Sequence, residues 1–121
     1  MRKIGAILKG VYKMGYLTSY SLGTHNSYKD ISEILADIPD GEFEYLRYAV
    51  DEYGDMGQSC KWYEHDNDMK RLSLLHPDVI FELCGEGEEQ GDSWKAYYKN
   101  GKTQRCKAKI TYPPFDENKL K

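Results

Sequence analysis

The residues of this chain that could do chemistry are clustered rather than scattered. Glu86, Glu88, Glu89 and Asp92 crowd into a stretch punctuated by Gly85, Gly87 and Gly91, with Glu82 just before it. Carboxylates gathered on so pliant a backbone could hold a hard cation such as Ca²⁺ or Mg²⁺. They could also do acid/base work if two of them were held close and buried. The spacing is not that of an EF-hand loop, and a solvated loop whose glycines serve turn geometry is the reading it favours. His65 stands among Glu64, Asp66 and Asp68, which invites a metal or general-base reading. Yet no second histidine lies at ligand spacing, and Asp66 suits a helix N-cap. No phosphate-binding loop, dinucleotide fingerprint, zinc-protease pair or nucleophile elbow occurs. The sequence therefore nominates no catalytic residue, no metal-ligand set and no cofactor. A small metal-dependent enzyme using the acidic loop and His65 stays as the second reading.

The other cluster is basic. Around Asn100-Gly101, the strongest short hairpin signal there is, residues 93–99 and 103–112 alternate in character. Strand side chains point to alternate faces, so Lys95, Tyr97 and Lys99 share a side, as do Arg105, Lys107 and Lys109. Trp94, Ala96 and Tyr98, with Cys106, Ala108 and Ile110, are expected to pack under helices. Lys61 and Tyr63 continue the trend in 58–64. Lysines interleaved with tyrosines on a solvated face suit single-stranded nucleic acid, cations meeting phosphates and rings stacking on bases. The same face is also what keeps an antiparallel sheet soluble. It could equally meet an acidic protein or another copy of the chain, whose acidic loop would supply the complement.

Positioning these clusters requires strands and helices in a definite order. Residues 15–23 read as a strand. Ile31, Ile34, Leu35 and Ile38 have helical spacing, with Ser27 as the expected cap and Pro39 beyond the last turn. A short helix is expected over 42–51, a strand over 58–64, a helix from Asp66 to His76, and strands at 78–84, 93–99 and 103–112. The expected fold is α+β, an antiparallel sheet with helices packed on one face, ferredoxin-like or an elaboration of it. Residues 1–13 read as an extension ahead of a second start at Met14 or as a terminal arm, 14–115 as one domain, and 116–121 as a charged tail.

The bulk composition agrees with a folded domain. The 121 residues are 40% hydrophobic and include 11 tyrosines, and the net charge is only −3. Such a chain can bury a core, and its charge singles out neither a nucleic-acid binder nor an acidic mimic. Cys60, Cys84 and Cys106 are far apart and odd in number, which reads as free thiols in a reducing, cytoplasmic setting. No stretch is apolar for long enough to span a bilayer, so no membrane partner is expected.

The runs KWYEHDNDM at 61–69, HPDVIFEL at 76–83, GEGEEQGDSW at 85–94 and YKNGK at 98–102 resemble a family of small uncharacterised proteins of bacterial genomes, phages and other mobile elements. The resemblance runs from about Met14 to Leu120. It implies a setting rather than an activity: an accessory protein that binds a host or phage component. The function expected is thus a small interaction module working through the basic, tyrosine-bearing face and the acidic loop. Its partner would be a protein or a second copy, or, with less support, nucleic acid.

Overall fold

The computed structural model describes residues 16–25 and 29–121. Its elements in order are β1 (Thr18–Thr24), α1 (Ile31–Ala36), α2 (Glu44–Ala49), α3 (His65–Leu75), β2 (Phe81–Gly87), β3 (Ser93–Lys99) and β4 (Lys102–Lys107). A single 3-10 turn follows at Glu117–Lys119. The four strands form one sheet in the order β1-β2-β3-β4, and every neighbouring pair is antiparallel. The α+β class holds. The ferredoxin-like order does not: that arrangement needs a helix between its last two strands, whereas β3 and β4 are joined by Asn100-Gly101 alone. All three helices fall between β1 and β2.

Alternation decides the faces. Tyr20 and Leu22 of β1, Phe81 and Leu83 of β2, and Trp94, Ala96 and Tyr98 of β3 are buried. The helices cover that side with Ile34, Leu46, Met69 and Leu72, none of which is exposed at all. Burying side chains of this size stabilises by about 1.5–3 kcal/mol each, so this layer carries the fold. Among the described residues the opposite face of the sheet carries no helix.

Several local expectations are corrected. The expected cap Ser27 lies outside the described residues, and α1 is capped by Asp30, whose N–H donates to the Glu33 carboxylate at 3.2 Å. Residues 58–64 do not form a strand; they touch the sheet at one bridge, Thr18 to Cys60. Beyond Cys60 the chain turns inward, because the buried Trp62 donates its indole N–H to Asp68 of α3 at 2.7 Å. That bond ties the segment to the helix instead of the sheet. Asp66 does not cap α3, whose cap is Glu64; it lies in the first turn and accepts a hydrogen bond from the Tyr98 hydroxyl.

The hairpin corrects the face assignment. Asn100 and Gly101 take φ of 49° and 81°, the left-handed pair that a two-residue type I′ turn requires. Lys99 then pairs with Lys102, Ala96 with Arg105 and Trp94 with Lys107. Residues directly opposite share a face, so Arg105 and Lys107 stand on the helix side and Cys106 stands with Lys95 on the open side. Cys106, Ala108 and Ile110 are exposed, not packed under helices. The sheet also ends at Lys107 rather than at Tyr112, and every residue from 102 to 121 is exposed.

His76 follows α3 and meets the Phe81 ring edge-on at 6.3 Å. Burial, and then the charge of Lys29, push its pKa below the ordinary imidazole value. The folded chain therefore holds fewer protons than the unfolded chain once the pH drops below about 6.5. Stability should fall between pH 7 and pH 5, and H76N should flatten that slope in urea midpoints measured across the range.

Candidate functional site

The open face consists of cross-strand rows read directly from the register. Ser21, Cys84, Lys95 and Cys106 form one row; Gly23, Glu82, Tyr97 and Gln104 form the next. A groove of about 430 Å³ lies over the first row, with Met56 at one wall and Ala108 at the other. The Lys95 ammonium sits 3.3 Å from Glu82, and this hydrogen bond raises the lysine pKa. Tyr97 meets the His25 ring edge-on at 5.5 Å. The open face is thus mixed in sign, Lys95, Lys99 and Lys102 alternating with Glu82 and Glu86.

The eight residues expected to share one basic face are distributed over several surfaces. Lys95, Tyr97 and Lys99 are on the open side. Arg105 and Lys107 are on the helix side by register. Lys61 and Tyr63 lie in the segment before α3, off the sheet, and Lys109 lies beyond its end. Glu88, Glu89 and Asp92 do lie together, at the turn between β2 and β3, but the Glu88 and Asp92 carboxylates are engaged by residues 16–17. The Tyr16 hydroxyl donates to Asp92 at 2.6 Å and accepts from the Glu89 N–H at 2.9 Å. The Glu88 carboxylate accepts from the Leu17 N–H. Glu86 belongs to β2 and points to the open side. These carboxylates fasten residues 16–17 to the turn. Among the described residues no three histidine, cysteine, aspartate or glutamate side chains gather to hold a metal ion.

His65 is engaged as well. Its Nδ1 lies 2.9 Å from the Trp62 carbonyl, and its Nε2 meets the Arg105 guanidinium. A ring that donates from Nδ1 and accepts at Nε2 has no nitrogen left for a metal or a substrate proton. The ring also stacks on Trp94 at 5.1 Å, and Arg105 covers the Trp94 indole at 4.0 Å. The cluster is aromatic packing with a cation over it. Thiol chemistry has no better footing: none of the three cysteines is bridged, and burial raises the pKa of Cys60 and Cys84, which disfavours the thiolate. Cys84 and Cys106 lie on either side of β3, two strand spacings or roughly 9–10 Å apart, beyond the reach of a disulfide.

Two features escaped the sequence reading. One is the stretch after β4, where Ile110, Tyr112, Phe115 and Leu120 are 57%, 80%, 79% and 67% exposed; the large side chains flanking Pro113-Pro114 were the available signal. The other is the contrast between the two sheet edges. Thr18 of β1 exchanges both backbone hydrogen bonds with Cys60 at 3.0 Å, and the Leu22 N–H donates to the Gly54 carbonyl at 2.7 Å. Among the described residues nothing comparable covers β4. Among the described residues, too, no helix is long and apolar enough to cross a membrane. Compared with family models, with curated proteins and with solved structures, the chain matches none.

Proposed function

We propose that this chain is a protein-interaction module, and that it engages a partner protein with its C-terminal arm, residues 108–121, and the sheet surface from which that arm departs. The observation that carries the reading is the arm itself, whose Ile110, Tyr112, Phe115 and Leu120 are exposed and take no part in the domain's buried core. Each such side chain contributes about 1.5–3 kcal/mol when fully covered, so a partner that covered the arm would gain enough for specific binding. Tyrosine and phenylalanine are also the side chains that supply large contact area at small entropic loss. Dispersal of the basic residues over separate surfaces weighs against a nucleic-acid track, and the engaged nitrogens of His65 weigh against catalysis. The resemblance carried by residues 61–102 fits an accessory protein of a bacterial mobile element acting on a host or phage protein.

Site-specific photocrosslinking tests this. A benzoylphenylalanine at Tyr112 is expected to give a discrete protein adduct in a bacterial host, and one at the exposed Tyr53 is expected to give none. Equal adducts from both positions, or none from either, would overturn the reading.

A further inference from the structure

We infer that the free edge of β4 takes up an extended acidic segment of the partner as a fifth strand. The inference rests on the interaction-module reading and names the chemistry of the partner.

The phase of the β4 hydrogen bonds follows from its turn. In a two-residue hairpin the residues flanking the turn, here Lys99 and Lys102, form a hydrogen-bonded pair, and bonded and non-bonded pairs then alternate along the ladder. Lys102, Gln104 and Cys106 accordingly direct their backbone groups at β3. Beyond the strand the Ala108 N–H still donates to the Ser93 carbonyl at 2.9 Å, in the same phase. The N–H and C=O of Thr103, Arg105 and Lys107 therefore point away from the sheet, a row of donors and acceptors ready for an incoming chain. At the other margin, residues 54–60 close the edge of β1 with backbone bonds from Cys60 and Gly54. Among the described residues one margin is closed by the chain itself and the other is left available.

Charge decides what the available edge accepts. β4 carries Lys102, Arg105 and Lys107 and no acidic residue, and Lys99 and Lys109 flank it. Antiparallel pairing of β4 with the β4 of a second copy would bring these cations opposite one another, which destabilises a ladder. An acidic strand is favoured by the same residues. Arg105 and Lys107 lie on the helix side of the edge, and the guanidinium is already held over Trp94 at 4.0 Å, with Asp66 at 3.9 Å. Carboxylates at alternate positions of the incoming strand meet that pair. The intervening side chains fall on the open side, beside Gln104 and Cys106, where β-branched residues fit the groove that Cys106 helps to line.

The test uses the full chain and a fluorescein-labelled peptide that alternates glutamate and valine over eight residues, with its lysine–valine counterpart as control. Anisotropy is expected to rise with the glutamate peptide only. T103P removes one outward N–H and leaves the β3 ladder intact, and should weaken binding about tenfold. K107E, an exposed substitution that leaves the fold alone, should weaken it comparably and reduce its salt dependence. Hydrogen exchange at the amides of Thr103, Arg105 and Lys107 should slow when the peptide is added. Equal binding of both peptides, or no protection at those amides, overturns the strand-addition proposal. Protection that rises with protein concentration alone, without peptide, overturns it in favour of a second copy. An adduct from position 112 that persists in K107E, with no glutamate-peptide binding by the native chain, would remove this inference and leave the interaction module standing.

Discussion

Replacing Gly54 by alanine or valine is expected to lower the melting temperature by roughly 12 °C, from a loss on the order of 3 kcal/mol. Gly54 holds φ of +83°, where a side chain is strained, and a Cβ there would lie 2.2 Å from the Leu22 carbonyl oxygen and 3.3 Å from its carbon. Those atoms are backbone in the middle of β1 and cannot yield as a flexible side chain would. Relief must come from residues 51–57 moving outward, which breaks the 2.7 Å bond from the Leu22 N–H to the Gly54 carbonyl. Both the Leu22 amide and the edge of β1 would then open together. Thermal melts and hydrogen exchange at Leu22 check this, and alanine should account for most of the loss because the clash begins at Cβ. A neutral G54A would mean that the loop is not fastened to β1 as described.

G85V is expected to be of similar size, about 3 kcal/mol, for a different reason. Gly85 stands between Tyr20 and Trp94 in one cross-strand row. A Cβ on it would lie 2.2 Å from Cε2 and Cζ2 of the Trp94 indole. The indole occupies the space that a side chain at 85 would fill, and it is pinned there by His65 stacked at 5.1 Å and Arg105 at 4.0 Å. Displacing it loosens the packing of Tyr20 and His65 and frees the Arg105 guanidinium that lies over it. Red-shifted tryptophan fluorescence should accompany the loss of stability, since Trp94 is one of only two tryptophans. A double-mutant cycle with W94L should return a coupling of about 1–2 kcal/mol. Simple additivity would mean that the two positions do not share the space.

The two substitutions also separate what each edge of the sheet owes to its surroundings. G54A acts on the closed edge and should leave glutamate-peptide binding at β4 in the folded fraction intact. G85V acts through Trp94 on Arg105 and should weaken that binding even in molecules that remain folded.

Much of the architecture was legible from local chemistry. Runs rich in β-branched and aromatic residues placed β1 and β3, and Asn-Gly placed the hairpin, because these signals depend only on near neighbours; the strand expected at 78–84 starts instead at Phe81 and runs on through Gly85, Glu86 and Gly87. The α1 region was legible from the spacing of Ile31, Ile34 and Leu35. Residues 58–64 misled because Cys60 and Trp62 alternate as strand residues do, while the partner that decides their fate, Asp68, acts through an indole hydrogen bond that no periodicity records. The face of β4 was a different kind of miss. A two-residue turn fixes the sum of paired residue numbers, so Trp94 must oppose Lys107; the information lay in Asn100-Gly101, and a shift of one residue moves every side chain to the other face.

An interaction surface was expected from the sequence, but the arm after β4 and the open edge of that strand were not among its candidates. Amino-acid sequence alone determined the α+β class, the clusters of charge and the hairpin turn, since composition, alternation and turn stereochemistry operate within a few residues along the chain. Only the tertiary structure decided that His65 is engaged through both nitrogens, that the acidic turn is fastened to Tyr16 and Leu17, and that, among the described residues, one sheet edge is closed by residues 54–60 while nothing comparable covers β4. Each of those outcomes depends on a partner more than 30 residues away along the chain, as for Leu22 with Gly54, His65 with Arg105 and Tyr16 with Asp92. Hydrogen-bond partnership at that separation is settled by how the layers pack.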